Sequence, residues 1–300
     1  MAMRARAVSL ALQGGGSHGA YTWGVLDALL EDGRITPEAI TATSAGAMNA
    51  VALAHGWLED GPDGARESLE SFWQEVSRRG AAFRPMVPGG TFLKLMPFFD
   101  AFSRLTSPYD LNPYNLDPLK DILDAQIDFE RLRAQDQMAL FVTATCVTTG
   151  RAEVFTGNPA LWPLFYADTP GDLLIVHINP LKRPGTPKSA DDIMNRVNEI
   201  TFNASLMAEL RAVAFVKRLI EDDLLKDAEK ARLRNLHIHA IRADEALKNY
   251  SAASKYDTSW HFLTGLRDAG RQAAKDWLEN CHVHVGKRSS IDVRGDYLGR

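Results

Sequence analysis

Two short segments near the N-terminus combine the residue types that acyl transfer requires. The first reads QGGGSHG, and its Gly14, Gly15 and Gly16 carry no side chains that would block a substrate carbonyl from the backbone N–H groups. The second reads TATSAGA and places Ser44 at a predicted strand-to-helix junction. Such a pair predicts a serine nucleophile beside preorganised donors for a developing oxyanion.

The segment around Ser44 has the layout of a nucleophile elbow, whose usual pattern is G-x-S-x-G. The residues two positions from the serine must be small in this sharp turn, because larger side chains would collide. Gly46 meets that requirement, and Ala42 replaces the first glycine of the pattern with the smallest side chain available. The hydroxyl is then exposed at the start of a helix, whose positive end favours a nearby oxyanion.

The glycine segment also fits G-x-G-x-x-G through Gly14, Gly16 and Gly19, after a strand-like run and before a helix. This is the context of a dinucleotide-binding loop, which needs an acidic residue about 20 positions further on to bind the ribose. Glu38 stands at that distance, but it follows Pro37 before the predicted second strand instead of ending that strand. Nucleotide binding therefore stays an alternative, and the nearby serine favours the oxyanion interpretation.

The composition is that of an ordinary globular protein, with 300 residues, 45% hydrophobic residues, 24% charged residues and a net charge of -4. This charge opposes a nucleic-acid partner, since such binding is driven by a basic surface. Cys146 and Cys281 are far apart and predict no disulfide framework, which favours a reducing, cytoplasmic location. The apolar run at 7–12 is shorter than the core of a signal peptide, and no run is long enough to predict a transmembrane helix.

Predicted strands and helices alternate in the first part of the chain, which favours a parallel sheet covered by helices. The predicted strands cover 7–12, 39–43, 172–180 and 235–241, with a hairpin at 138–155. The predicted helices cover 18–32, with Gly33 as its stop, and then 44–56, 63–79, 189–222 and 259–280. We expect a single domain over residues 1–300, with about 235–300 as a C-terminal extension packed on it.

Residues 80–118 differ from the rest of the chain in being rich in proline and aromatic residues. One interpretation is an irregular connection that packs its own core. The other is a cap over an apolar cleft, because apolar, aromatic-lined pockets bind acyl or aryl groups.

Read together, the two segments resemble the patatin-like phospholipases. The resemblance rests on LQGGGSHGAYTWGVLDALL and TATSAGAMNAVALA, and extends through NPALWPLF, LLIVHINPLKRP and DIMNRVNEITFNASLMAELRA. It implies an α/β fold, namely a three-layer α/β/α sandwich with a mostly parallel central sheet, and a Ser-Asp dyad. Carried over, Ser44 is the nucleophile, and Gly14, Gly15 and Gly16 form the oxyanion hole. Neither a metal nor an organic cofactor is implied.

The resemblance implies a serine acyl hydrolase of the phospholipase, lipase or esterase type. An acyl ester or lipid is the expected substrate, and the apolar segment at 92–102 is consistent with phospholipid or neutral lipid. Transient contact with a membrane or lipid surface is expected, and a nucleic-acid partner is not. The oligomeric state, the acyl chain and the head group stay open.

The dyad aspartate of the resemblance has no clear counterpart in this chain. The family places it in an Asp-Gly-Gly or Asp-Gly-Ala motif before an Asn-x-Pro stretch, whereas here Phe155 leads directly into Thr156 and TGNPALWPLF. Either the segment is deleted, or the gene product carries residues between Phe155 and Thr156 that this sequence lacks. We favour the second interpretation, because a deletion would remove a core strand and expose sheet edges. A true deletion would favour a non-catalytic relative of the family.

Other aspartates offer weaker substitutes. Asp-Gly pairs begin at Asp32, Asp60 and Asp63, all at predicted helix boundaries where a turn or cap explains them. Asp168 and Asp172 flank a Pro-Gly loop and would reach the serine only if the fold brings that loop there.

Several further polar residues have structural interpretations. His18 has no role as a base in a dyad, and we expect it at a helix start or facing a loop. The H-x-H pairs are expected on ordinary strand faces; they are His237 with His239 and His282 with His284. A polar stripe on the long predicted helix is expected to bond neighbouring loops or a partner; it consists of Asn195, Arg196, Asn198, Glu199 and Asn203.

Overall fold

The computed structural model describes residues 5–82, 117–146, 148–149, 152–155, 169–183, 185–226, 233 and 235–299. Most of the candidate cap at 80–118 lies outside the described residues, as do Asp168 and the Asn-Pro motif of NPALWPLF. None of the described helices is both long enough and apolar enough to cross a membrane.

Six strands form one sheet. They are β1 Arg6–Leu12, β2 Ile35–Thr43, β3 Ala139–Thr145, β4 Ala152–Phe155, β5 Asp172–His177 and β6 His237–Arg242. Their order across the sheet is β4-β3-β2-β1-β5-β6. All pairs are parallel except β3 with β4, which form the predicted antiparallel hairpin. The prediction of a mostly parallel central sheet is therefore confirmed.

Helices connect these strands, and several of their ends follow from local sequence. The helices are α1 Gly19–Asp32, α2 Ala45–Ala82, α3 Pro118–Gln126, α4 Phe129–Ala134, α5 Ala190–Glu221, α6 Asp244–Leu247 and α7 Trp260–Asn280. Gly33 ends α1 in the left-handed conformation at φ 74°, where glycine has no Cβ penalty. Ser189 begins α5, since its side chain accepts a hydrogen bond from the Asp192 N–H.

Helices cover both faces of the sheet. Val8, Leu10 and Leu12 of β1 belong to a core cluster shared with α1, α2 and α7. Ala11, which points the other way, belongs to a second cluster shared with α5. This alternation is the period of two of a β-strand, and it confirms the three-layer α/β/α arrangement.

The second strand begins earlier than predicted. β2 includes Pro37, which cannot donate a ladder hydrogen bond. The pairing of β1 with β2 skips Glu38, and pairing of β2 with β3 begins only at Ala39. Proline is thus tolerated because it lies where β2 has one neighbour and an irregular register.

The range of α2 holds the two helices predicted at 44–56 and 63–79, which meet at a non-helical kink at Asp60 and Gly61, where Gly61 has φ 56°. One further element differs from prediction. His282 and His284 lie in a 3-10 turn instead of on a strand, because the chain turns directly after α7.

The sheet topology places the candidate residues together at the carboxyl ends of the parallel strands. β1 is central, and the chain proceeds to β2 on one side and later to β5 on the other. Ligands of such sheets bind beyond the carboxyl ends of the strands at this switch point. The glycine segment follows β1 and Ser44 follows β2, so both lie at these strand ends.

Candidate active site

Ser44 forms the junction between β2 and α2 and has a strained backbone. Its φ is 53°, one of two positive values among the described non-glycine residues. A non-glycine residue in this region costs about 1–3 kcal/mol and persists where surrounding structure holds it. Its side chain is exposed. These features confirm that the segment turns as sharply as its small residues predict.

Close backbone packing explains the small residue two positions after the serine. A Cβ on Gly46 would lie 2.3 Å from the Leu12 carbonyl oxygen at the end of β1. A Cβ on Gly19, at the start of α1, would lie 2.7 Å from Ala45 Cβ. The first turns of α1 and α2 therefore approach each other and β1 at distances that larger residues would prevent.

The glycine loop, residues 14–16, lies directly against the serine. A Cβ on Gly14 would lie 2.7 Å from Ser44 Cβ and 3.5 Å from Ser44 Oγ. Gly14 and Gly15 are buried, and within the described part of the chain neither of their N–H groups donates a hydrogen bond to another protein atom. Gly16 has φ 57°, a backbone conformation that glycine adopts freely and that would be strained for other residues.

Gln13 anchors the loop to the end of β5. Its Oε1 accepts hydrogen bonds from the N–H groups of Ile178 and Asn179 at 3.0 and 2.9 Å. Its Nε2 donates to Asn203 Oδ1 of α5 at 2.9 Å. All of these contacts are buried, so the loop leaves β1 from a fixed position.

The predicted polar stripe of α5 bonds loops of the same chain. Buried Glu199 accepts from Arg183 at 2.7 Å and from Arg196 at 3.1 Å. Arg196 also donates to the Leu181 carbonyl at 2.9 Å, and Asn203 donates to the Pro180 carbonyl at 3.2 Å. Of the two interpretations offered by the sequence, contact with loops is the one that these bonds support.

His18 packs beside the loop but does not face the serine as a base. It lies in a 3-10 turn at Gly16–His18, and its Nε2 is 2.7 Å from Ser254 Oγ. Ser254 donates its one hydroxyl proton to the Ser251 carbonyl, so His18 Nε2 must be the donor in their bond. Burial, together with the nearby charges of Lys255 and Arg183, lowers the pKa of His18 to about 3.

Asp172 lies at the amino-terminal ends of the parallel strands, whereas Ser44 lies at their carboxyl ends. It is the first residue of β5, whereas Ser44 follows the last residue of β2. A strand of this length spans roughly 20 Å. Its carboxylate is engaged locally, with the Gly286 N–H at 2.8 Å and His239 Nε2 at 3.0 Å. The fold therefore does not bring Asp172 to the serine.

The dyad partner is still unassigned. Asp32 pairs with Arg34 beyond the end of α1, and Asp60 lies at the kink of α2. No side-chain hydrogen bond among the described residues joins Ser44 Oγ to a carboxylate. Sequence reasoning also did not single out Asn179 and Lys255, which contact the loop. Asn179 lies within the segment LLIVHINPLKRP of the family resemblance, but no local pattern indicates that it contacts the loop.

The model of the family described as Patatin-like phospholipase matches residues 10–271. The chain belongs to this family. The matched range contains the glycine loop, Ser44 and the polar stripe of α5, so the patatin-like match covers the whole candidate site. No curated protein matches the sequence at a significant level.

Three solved structures are similar to this patatin-like chain at low identity. One is full-length SpcU in complex with full-length ExoU from the Pseudomonas aeruginosa type III secretion system, at 18% identity and TM-score 0.28, covering 68% of this chain and 51% of that chain. A second ExoU–SpcU complex from that organism has 13% identity and TM-score 0.35, with 92% and 52% covered. VipD from Legionella pneumophila has 14% identity and TM-score 0.28, with 88% and 67% covered. The chain thus spans about half of the first two matched chains.

Proposed function

We propose that this patatin-like protein is a serine acyl hydrolase that cleaves acyl esters, with Ser44 as the nucleophile. The observation that carries the proposal is the contact of the glycine loop with the serine, since a Cβ on Gly14 would lie 3.5 Å from Ser44 Oγ. Membership of the patatin-like phospholipase family supports the same class of reaction and favours a lipid substrate.

In the proposed reaction, Ser44 Oγ attacks the ester carbonyl carbon and transfers its proton to a general base. The carbonyl oxygen becomes an oxyanion that accepts hydrogen bonds from the N–H groups of Gly14, Gly15 and Gly16. Collapse of this intermediate expels the alcohol and leaves an acyl-enzyme, which water then hydrolyses. The absence of other acceptors for the Gly14 and Gly15 N–H groups among the described residues supports their role.

The start of α2 supplies further stabilisation. Ser44 immediately precedes this helix, and Met48 N–H already bonds the Ser44 carbonyl at 3.1 Å. The helix dipole places partial positive charge at that end, beside the position where the oxyanion forms. The proposed mechanism uses no metal and no organic cofactor.

Covalent labelling tests the assignment of the nucleophile. A fluorophosphonate should label the wild-type protein, and Ser44→Ala should abolish both labelling and hydrolysis of p-nitrophenyl butyrate. Ser71→Ala is a matched control, because it makes the same change at an exposed position of α2 away from the loop. Labelling that survives in Ser44→Ala would refute the assignment.

A non-catalytic relative is the second candidate, because none of the described carboxylates bonds Ser44. Ester hydrolysis by the folded protein separates the two. Hydrolysis of p-nitrophenyl butyrate that depends on Ser44 supports the hydrolase. A folded protein that shows neither fluorophosphonate labelling nor hydrolysis supports the non-catalytic relative.

A further inference from the structure

Two hydrogen bonds in series connect Lys255 to the glycine loop through the side chain of Asn179. Asn179 Nδ2 donates to the Gly14 carbonyl oxygen at 2.8 Å. Lys255 Nζ donates to Asn179 Oδ1 at 2.8 Å and to Asn198 Oδ1 at 2.7 Å. The hydrogen bonds of Gln13 anchor the loop, but they do not explain why the Asn179 side chain and Lys255 bond to each other and to the loop.

The bond from Asn179 controls a donor of the proposed oxyanion hole. The Gly14 carbonyl and the Gly15 N–H belong to one planar trans peptide and point in opposite directions. A hydrogen bond that fixes the carbonyl therefore fixes the direction of the N–H. Consecutive glycines have wide conformational freedom, so this peptide depends on outside contacts for its orientation.

The contacts of Asn179 leave its amide one orientation. Lys255 can only donate and the Gly14 carbonyl can only accept, so Oδ1 must face the ammonium and Nδ2 must face the loop. The residue is almost fully buried. Its own N–H bonds Gln13, and its carbonyl accepts from Asn203 at 3.2 Å.

Lys255 contacts the loop a second time, through its backbone. It lies in the 3-10 turn Ala252–Tyr256, and a Cβ on Gly16 would lie 2.6 Å from its carbonyl oxygen. Its ammonium also lies 4.2 Å from the centre of the Phe202 ring. Thus Lys255 packs against Gly16 through its backbone. Through its ammonium it also holds the Asn179 side chain, which orients the Gly14–Gly15 peptide.

We propose that Asn179 and Lys255 are positioning residues of the acyl hydrolase, which hold the Gly14–Gly15 peptide with its N–H directed at the oxyanion. The inference rests on the proposed function and goes beyond it, since neither residue touches the reacting atoms. Lys255 also adds a positive charge behind the loop, which favours the transition state over the neutral substrate.

The partial burial of Lys255 gives the proposed positioning role a pH dependence that a purely structural role would not have. Burial lowers the pKa of Lys255 to about 8, with Glu199 opposing the shift. Because the unfolded chain then binds more protons between about pH 8 and its ordinary value, stability rises as pH increases through that window. The partly buried ammonium therefore destabilises the fold at pH 7.

Kinetics of isosteric variants test the proposal. With p-nitrophenyl butyrate at pH 7, Lys255→Met and Asn179→Asp should each lower kcat by roughly 10- to 100-fold, less than the ~10²–10³ for a deleted donor. KM should stay within about threefold, because positioning acts on the transition state. Lys255→Met removes a partly desolvated charge but leaves the side-chain oxygens of Asn179 and Asn198 without their donor, so Tm is measured in parallel to separate a loss of stability from a loss of kcat. Lys255→Arg should restore most of kcat.

The pH profile provides a readout that packing alone would not move. Glu199 on α5 is the charged group whose interaction shifts the pKa of Lys255. His18 on its 3-10 turn interacts with both Lys255 and Arg183, and Arg183 in the loop after β5 lines the same cleft. In wild type, kcat should decline as pH rises through about 8, as Lys255 loses its proton. This decline should be absent in Lys255→Arg, because arginine stays charged.

The outcomes distinguish the two proposals. If wild type hydrolyses the ester in a Ser44-dependent manner but both isosteric variants keep its kcat, the positioning role is refuted and the hydrolase stands. A loss of kcat that parallels a loss of Tm, with the alkaline decline still present in Lys255→Arg, also refutes it. If wild type shows no hydrolysis, both proposals fall.

Discussion

Gly14 and Ser44 are in direct contact across two neighbouring strand ends, with a Cβ on Gly14 falling 2.7 Å from Ser44 Cβ. A separation this short leaves no room for a side chain at position 14. Ser44 and the loop therefore depend on each other for their positions.

Gly14→Ala should lower kcat by at least about 10²-fold, because the added methyl must displace either the serine or the first oxyanion donor. The measurement is hydrolysis of p-nitrophenyl butyrate together with the rate of fluorophosphonate labelling. Gly171→Ala is the matched control, since no atom of the described residues lies within 4 Å of its added methyl. A Gly14→Ala protein with wild-type kcat would contradict the proposed arrangement.

Gly270→Ala should destabilise the fold by about 1–3 kcal/mol through overpacking. Its Cβ would lie 2.1 Å from the Tyr21 carbonyl oxygen, where α7 crosses α1. Gly265→Ala, on the same helix, meets none of the described atoms within 4 Å and should be neutral or stabilise by up to about 1 kcal/mol. Urea denaturation of both variants measures the difference, and equal effects would argue against this close helix crossing.

The free energy of unfolding should decrease as pH is lowered below about 6.5, partly because His18 is neutral in the folded protein. Its folded pKa of about 3 lies below the ordinary 6.5, so the unfolded chain binds more protons between these values and stability is lost as pH falls. The expected contribution between pH 7 and pH 5 is about 2 kcal/mol.

The variant His18→Gln isolates this effect, because its amide can still donate to Ser254 Oγ without gaining a proton. Urea denaturation at pH 7 and pH 5 should show a smaller loss for the variant than for wild type. Identical losses would mean that His18 is not the buried neutral group that its contacts indicate.

Asp172→Ala should destabilise the protein by about 1–3 kcal/mol, since His239 and the Gly286 N–H would lose their acceptor. Its kcat should remain within about twofold of wild type, because Asp172 lies at the opposite ends of the strands from Ser44. Thermal unfolding and ester hydrolysis measure the two effects separately. A variant that stays folded but loses hydrolysis would return Asp172 to consideration as the dyad base.

Much of the fold could be predicted because its determinants are short-range. The glycine after α1 and the serine before α5 set those helix ends through bonds to residues three or four positions away. The small residues around Ser44 likewise predicted its turn. β2 was harder, because Pro37 is tolerated only through the absence of a second neighbour at that point of the sheet.

The sequence by itself predicted the sharp turn at Ser44 and the glycine loop that faces it, since both depend on residue size and backbone freedom within a few positions. Only the tertiary structure decided what holds the loop. Asn179 is 165 positions from Gly14 and 76 from Lys255, and no periodic pattern links residues so far apart. Their contacts exist because β5 and the turn at Ala252–Tyr256 pack beside the end of β1. The same parallel sheet places Asp172, the first residue of β5, at the opposite ends of the strands.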